Sequence, residues 1–342
     1  MYARKAFLAL ATFLALAHAQ ASAWNNVGHM TVAKLAYDQM TDGQKLKAIA
    51  ILKQHPHYAI FLSTNRPDGA DENEWVFLRA STWPDWIRPM KTPDPRGEEV
   101  TKYNIPGDHY INKPFILPAD QALFAGQDIG PNPDNNILLA LDRRMAQLKA
   151  EDTSAEDRAV ALCWVLHLMG DIHQPLHCTS LFSALFADKD NNGKFIGDRG
   201  GNSFGVKIGG RKYKLHTFWD DLLGVSTGGF EDTPANLASV HGLVKQAAET
   251  LHDPKYGRDK FPELKDHTTF ASWVDEGVDL AKSQAYLNGE LKAVKVQGDT
   301  IPDDANDAPA DYQQNAVDVA HRRISLAAYR LLDRLSEVIP GS

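Results

Sequence analysis

A chain of 342 residues builds a sizeable core in one large domain or two small ones. Its formal net charge of −8 argues against a basic cleft that grips nucleic acid by charge alone, although bound metal can supply positive charge to a polyanion. Two cysteines, Cys163 and Cys178, exclude both a disulfide framework and a zinc-finger pattern.

Residues 1–23, MYARKAFLALATFLALAHAQASA, read as a secretory leader. A basic start at Arg4 and Lys5 precedes an apolar run from Ala6 to Ala17, and Ala21-Ser22-Ala23 is a small-x-small cleavage signal. The run is too short to span a bilayer, and no later apolar run is long enough to do so. Cleavage after Ala23 leaves a mature chain from Trp24, with 319 residues, a charge of −10 and 12 of the 13 histidines. Export to the periplasm or the medium follows. It makes a Cys163–Cys178 bridge chemically available, with two buried free thiols as the alternative.

The mature chain reads as one all-α, multihelical domain, residues 24–342, with long loops and at most a small hairpin. HMTVAKLAYDQM, GQKLKAIAILKQ and NNILLALDRRMAQLKAE carry apolar residues at helical spacing. Ser154 and Asp157 form a capping box that opens a helix through RAVALCWVLHLMGD, which Pro175 ends. Thr233-Pro234 starts another helix, and long helices follow over 267–290 and 309–337. FGVKIGGRKYKL is a hairpin turning at Gly209-Gly210. Loops rich in Pro, Gly and Asp occupy 89–108, 117–136, 183–203 and 293–308. Site candidates lie on both sides of the first three, so none of those is a domain linker.

The chemistry concentrates in HLMGDIHQPLHC. His167 and Asp171 stand four apart on one helix face, and His177 follows Pro175. LHTFWDD repeats the pattern with His216 and Asp220. One such pair is more often a surface ion pair; two, with a third histidine beside one of them, point to zinc ligands. WPDWIR adds Asp85 and Arg88, GDHYINKP adds His109, and WNNVGH adds His29, five residues after the predicted new terminus. The Trp24 α-amine, with an ordinary pKa of about 7.7–8.0, is available to a metal together with the Trp24 carbonyl. His173 matches no ligand spacing and reads as a supporting or partly exposed histidine. DKDNNGKFIGDR imitates a calcium loop at Asp188, Asp190, Asn192 and Gly193, but Arg199 stands where the closing glutamate belongs, so it reads as a polar loop, with an extra calcium site as the alternative.

Taken in order, WNNVGH, WPDWIR, HYIN, HLMGDIHQPLH, RGGN and LHTFWD resemble the type I nucleases, zinc-dependent single-strand-specific enzymes of fungi, plants and bacteria that share a superfamily with the zinc phospholipases C. The resemblance spans roughly 24–335. It implies an all-helical fold holding three zinc ions. One would take Asp85, His109, His167 and Asp171; a second His177, His216 and Asp220; a third the Trp24 amine and carbonyl, His29 and Asp171, which bridges two metals. It implies endonucleolytic hydrolysis of single-stranded DNA and RNA to 5′-phosphorylated products, and 3′-nucleotidase activity. Asp85 would orient the attacking water and Arg88 would neutralise phosphoryl charge. Tyr110 would stack a splayed base, which a duplex does not offer. Asn112 departs from the family's usual aspartate and both donates and accepts. Asn202 would line the nucleotide pocket, with Gly200 and Gly201 allowing close backbone approach. No obligate protein partner is inferred. The alternatives are a zinc phospholipase C on the same scaffold, against which RGGN and the Tyr110/Asn112 pair argue, and a non-catalytic zinc-binding protein, which would have no use for Arg88.

Overall fold

A computed structural model describes residues 24–89, 94–225 and 232–341; the predicted leader, residues 1–23, lies outside the described residues. Helices take 57% of the chain and strands 8%, so the all-α expectation holds with small sheets added. Helix α1 (Asn26–Gln39) is the central element. Its residues from Val27 to Ala36 are buried except Lys34, as a helix wrapped on all sides must be. Asn25 caps it by accepting from the Val27 and Gly28 amides. Helix α2 (Asp42–Leu52) opens with a full capping box between Thr41 and Gln44. Helix α3 (Glu72–Ala80) and the turn α4 (Trp83–Trp86) follow, then α5 (Ile137–Lys149) and α6 (Ala155–Asp171). The short α7 (Pro175–Cys178) and α8 (Leu215–Asp220) precede α9 (Pro234–Leu251), α10 (Phe270–Leu280) and α11 (Tyr312–Val338). Helix α1 packs against α3, α9, α11 and α6, while α6 also lies against α2, α4, α5 and α11.

Two small sheets hold the loops. Strand β1 (Lys113–Ile116) pairs in parallel with β2 (Thr179–Phe182), with Lys113 opposite Thr179. The predicted hairpin forms as β3 (Phe204–Ile208) and β4 (Arg211–Lys214). Its turn glycines, Gly209 and Gly210, have φ of +57° and +78°, the conformation a two-residue hairpin turn demands. A third strand, β5 (Val294–Lys295), joins β3 from within a stretch that reads as loop.

Several sequence readings need correction. The span 267–290 is not one helix. It breaks into α10, a wider π turn over Ala281–Ala285, and a 3₁₀ turn in which Asn288 is left-handed, φ 55°. The break sets the buried Tyr286 where its hydroxyl donates to Asp198 at 2.7 Å. Ser154 caps α6 by accepting from the Asp157 amide, but the return contact runs from the Ser154 hydroxyl to the Asp157 carboxylate instead of from the backbone N–H. Aspartate is one methylene shorter than the glutamate a full box uses. Helix α6 ends at Asp171, before Pro175, which instead opens α7 at its first position. No bridge joins Cys163 and Cys178: both are buried free thiols. The Cys178 Sγ donates to the Ile172 carbonyl at 3.5 Å, and burial pushes its pKa up to about 12.

His173 is fully buried, so the partly exposed reading fails. Its Nδ1 donates to the Met169 carbonyl at 2.8 Å, and its Nε2 accepts from Arg330 at 3.0 Å. Arg323 donates to the His173 carbonyl, and Glu276 accepts from both arginines at 2.6 Å. This ion cluster fastens α10 and α11 to the turn between α6 and α7. Burial raises the Glu276 pKa, but Arg330 and Arg323 outweigh it and hold the carboxyl below its ordinary value. Its contribution is therefore present above the ordinary glutamate range and lost as pH falls through the lowered value. Glu276→Gln should lose about 3–5 kcal/mol in urea unfolding at pH 7, because two buried arginines lose their partner. The gap to wild type should narrow as pH falls through the lowered value and the wild-type carboxylate is itself protonated; an equal gap at neutral and at acid pH would show that charge is not the source.

Candidate metal centre

Three groups of metal-capable side chains form among the described residues: His29 with His167 and Asp171; Asp85 with His109 and His167; and His177 with His216 and Asp220. They come from the first turn of α1, from α4, from the 3₁₀ turn Pro106–His109, and from the end of α6 with α7 and α8. Asp171 sits at the junction, fully buried. Its Oδ1 faces His29 Nε2 at 3.3 Å, and its Oδ2 faces His109 Nδ1 at 3.0 Å and His167 Nε2 at 3.2 Å. His167 Nε2 also lies 3.6 Å from Asp85 Oδ1 and 3.0 Å from His109 Nδ1, so these atoms converge on one point. In the third group His216 Nε2 stands 3.5 Å from Asp220 Oδ2.

Backbone carbonyls set the ring tautomers. His167 Nδ1 lies 2.8 Å from the Ser81 carbonyl, His177 Nδ1 2.7 Å from the His109 carbonyl, and His216 Nδ1 2.6 Å from the Gly200 carbonyl. A carbonyl only accepts, so each Nδ1 carries the proton and each Nε2 turns its lone pair inward. Gln174 plays the same part for a carboxylate, donating to Asp220 Oδ1 at 2.7 Å.

The donor set fits a metal on its own evidence. His29 Nε2, His177 Nε2 and Asp171 Oδ1 are buried without a hydrogen bond, an arrangement folding avoids unless a further partner binds there. Burial lowers the pKa of His29, His109 and His177 well below the usual imidazole value, with neighbouring histidines or Arg88 acting the same way, which keeps them neutral as ligands. Burial also lowers His167, but Asp171 and Asp85 outweigh it and raise the net value. The Asp171 carboxyl is pushed up to about 6 by burial, against the pull of His167. A cation at the junction would reverse that cost.

Trp24 is completely buried, and its indole donates to the Gly170 carbonyl at 3.1 Å. Asn25, next along, accepts the turn of α1 and contacts α8: its amide donates to the Asp220 carbonyl and its side chain to Asp221 at 2.8 Å. Two glycines make the room. A Cβ on Gly28 would lie 2.6 Å from Trp24 Cβ, and one on Gly170 would lie 2.7 Å from His29 Nδ1.

Above the groups opens a cleft of about 480 Å³. Arg88, Tyr110, Asn112, His177, Asn202 and His216 line it. Arg88 pairs with Asp85 at 2.8 Å. Tyr110 is 41% exposed, enough ring surface for a ligand to cover. Gly200 and Gly201 are not in the lining. The close approach they permit is internal: a Cβ on Gly200 would meet the Leu176 carbonyl at 2.4 Å, and one on Gly201 the His216 amide at 3.0 Å. They seat His216. The calcium-like loop spends an Asp190 oxygen on the Asn192 and Lys194 amides and joins no metal group among the described residues.

Sequence reading missed Gln174, Gly170, Gly28, Asn25 and the Ser81 carbonyl. Gln174 had a signal, since glutamine before a helix-opening proline suits a cap. The others act through backbone or through space that no side chain announces.

With this geometry in place, comparison with known proteins is informative. The S1/P1 Nuclease family matches residues 24–340. The chain belongs to the S1/P1 nuclease family. It is therefore an enzyme of the nuclease class, as the motif order predicts. It is similar to Endonuclease 5 of Arabidopsis thaliana, 23% identical over 92% of this chain and 90% of that protein. Nuclease S1 of Aspergillus oryzae is 24% identical over 90% and 89% of the two chains. The match to Endonuclease 4 of Arabidopsis thaliana, 24% identical, spans only 58% of this chain and 55% of that one. For an S1/P1 nuclease the fit at Gly170 is a sharp test. Gly170→Ala should stay helical, since alanine favours a helix over glycine by about 1 kcal/mol. It should nonetheless lower metal content by displacing His29; elemental analysis beside circular dichroism checks this, and undiminished metal would show that the ring has room to move.

Proposed function

We propose that this S1/P1 nuclease is an exported three-zinc endonuclease that hydrolyses single-stranded DNA and RNA to 5′-phosphorylated products and removes phosphate from 3′-nucleotides. The observation that carries the reading is the junction at His167 and Asp171: two His/Asp groups share His167, the buried Asp171 carboxylate lies against histidines of both, and a third group lies beside the same cleft. Asp85, His109, His167 and Asp171 would hold one zinc, and His177, His216 and Asp220 a second. His29 and Asp171 would hold a third with the amine and carbonyl of Trp24. The family match begins at Trp24, which is in keeping with a mature chain that starts there. Bound zinc would supply positive charge to the phosphate and lower the pKa of a bound water to near neutrality.

The chain's own groups would do the rest. Asp85, held by Arg88, would accept a hydrogen bond from the attacking water and fix its direction. Arg88 reaches the cleft and would meet charge developing on the phosphoryl oxygens. Tyr110 offers a face to an unstacked base, while Asn112 and Asn202 offer amides to its edge. Phospholipase C chemistry would use the same metals, but Asn112, Asn132, Asn135, Asn192 and Asn202 place amides in the cleft that can pair with a base edge and have no partner on an acyl chain.

Elemental analysis of the processed protein should give about three zinc ions per chain. Chelation should abolish cleavage of single-stranded DNA, and zinc should restore it. A chain with one residue added before Trp24 should hold one zinc fewer. Three zincs with no nucleic-acid cleavage would move the assignment to phospholipids, and one or none would overturn the ligand set. Asp171→Asn is the sharpest single change: it should lose the organisation of two metals and at least about 10³-fold in kcat, by the scale of losing a principal electrostatic group. Full zinc content and full rate in that variant would remove Asp171 from the bridging position.

A further inference from the structure

The outer part of the cleft is lined by Asp190, Asn192, Lys194, Phe195, Ile196 and Arg199, which are exposed or half-buried where His177 and His216 in the same lining are buried. Of its cations, Lys194 is paired with Asp128 at 3.1 Å, and Arg88, deeper in, is paired with Asp85. Arg199 is exposed, and no carboxylate among the described residues pairs with its guanidinium. Its backbone is unusual as well. Its φ is +58°, a region that a non-glycine residue enters only against steric strain between Cβ and the backbone.

That conformation is built in. The buried Asp198 accepts from the Leu181 amide at 2.8 Å, from Ser180 Oγ at 3.1 Å and from the Tyr286 hydroxyl at 2.7 Å. Ser180 Oγ in turn accepts from the Arg199 amide at 3.0 Å, and the Arg199 carbonyl accepts from the Asn202 side chain at 2.9 Å. A carboxylate, a hydroxyl and an amide thus fix the corner on which Arg199 stands. Glycine would occupy it without strain, as Gly200 and Gly201 do directly after it, at φ +62° and +85°. An arginine held there, unpaired, at the mouth of the cleft of an acidic chain calls for an anionic ligand.

We propose that the outer cleft is a strand-binding subsite in which Arg199 grips a phosphodiester of a nucleotide adjacent to the one being cleaved. It rests on the nuclease reading above and adds to it a means of preferring polymer over mononucleotide. The scissile phosphate is served by the metal groups and Arg88. A neighbouring phosphate would lie outside their reach and needs its own cation, which Arg199 supplies with a bidentate fork.

The test compares kcat/KM for a single-stranded DNA oligonucleotide of about ten residues with that for a 3′-mononucleotide, in the zinc-loaded enzyme over a range of salt. Arg199→Gly suits the left-handed backbone, so the fold is retained, and Arg199→Lys keeps the charge. For Arg199→Gly, kcat/KM on the oligonucleotide should fall about fivefold at low salt, the scale of one exposed ion pair. On the mononucleotide it should be unchanged. The slope of log kcat/KM against log salt should become shallower by about 0.7, one phosphate contact on a single strand. Arg199→Lys should recover most of the loss. Equal loss on both substrates would overturn the subsite and place Arg199 at the scissile nucleotide. No loss on either would remove Arg199 from binding. A wild-type enzyme without nucleic-acid turnover would overturn the nuclease reading, and the subsite with it.

Discussion

The fold turns on a single buried carboxylate. Asp171 is fully enclosed at the last residue of α6, with each of its oxygens set against histidine nitrogens from other segments. Left as it stands, this is an unfavourable arrangement: burial drives its pKa up and leaves an oxygen without a hydrogen bond. The surrounding chain is arranged to hold that group in place. Helix α1 brings His29, the 3₁₀ turn at Pro106–His109 brings His109, and the end of α3 brings the Ser81 carbonyl that orients His167. Gly170 lets α6 close on His29 of α1, and Gly28 leaves room for Trp24 beside them.

A second layer explains how the ligand candidates stay aimed. Three imidazoles spend Nδ1 on backbone carbonyls, and those carbonyls belong to segments that themselves contribute to the site. His177 is oriented by the carbonyl of His109, so two of the groups are mechanically joined. The Glu276 ion cluster grips His173 from the opposite side and ties the α6–α7 turn to α10 and α11. Around the site, buried polar groups hold one another through these contacts, and precise positioning there repays the cost of burying them.

The charge balance has a related logic. An acidic chain gains nothing from long-range attraction to a polyanion. In the proposed enzyme, positive charge is supplied locally, by metal at the centre and by Arg88 and Arg199 along the cleft. Affinity then depends on a strand that can lay both a phosphate and a base into the cleft, and Tyr110 gives the base a surface to lie on.

Much of this was legible in the sequence. Helical periodicity announced α1, α2 and α5, the caps at Ser154 and at Thr233-Pro234 announced α6 and α9, the long helix expected over 309–337 is α11, and the glycine pair announced the hairpin. The i, i+4 pairs His167/Asp171 and His216/Asp220 announced two of the groups, because helical spacing fixes which side chains share a face. The sequence did not show that 267–290 breaks for Tyr286, that four-residue strands far apart in the chain pair in parallel, or that His173 is buried. These follow from contacts between segments that no local pattern encodes. Residue type and spacing determined which chemistry this chain can hold. Only the tertiary structure decided that Asp171 lies against His29, His109 and His167 together, that Gly200 and Gly201 seat His216 without lining the cleft, and that Arg199 stands exposed in the lining with no carboxylate among the described residues against its guanidinium. Each of those depends on where separate segments meet in space, and that meeting is fixed by packing of the whole chain.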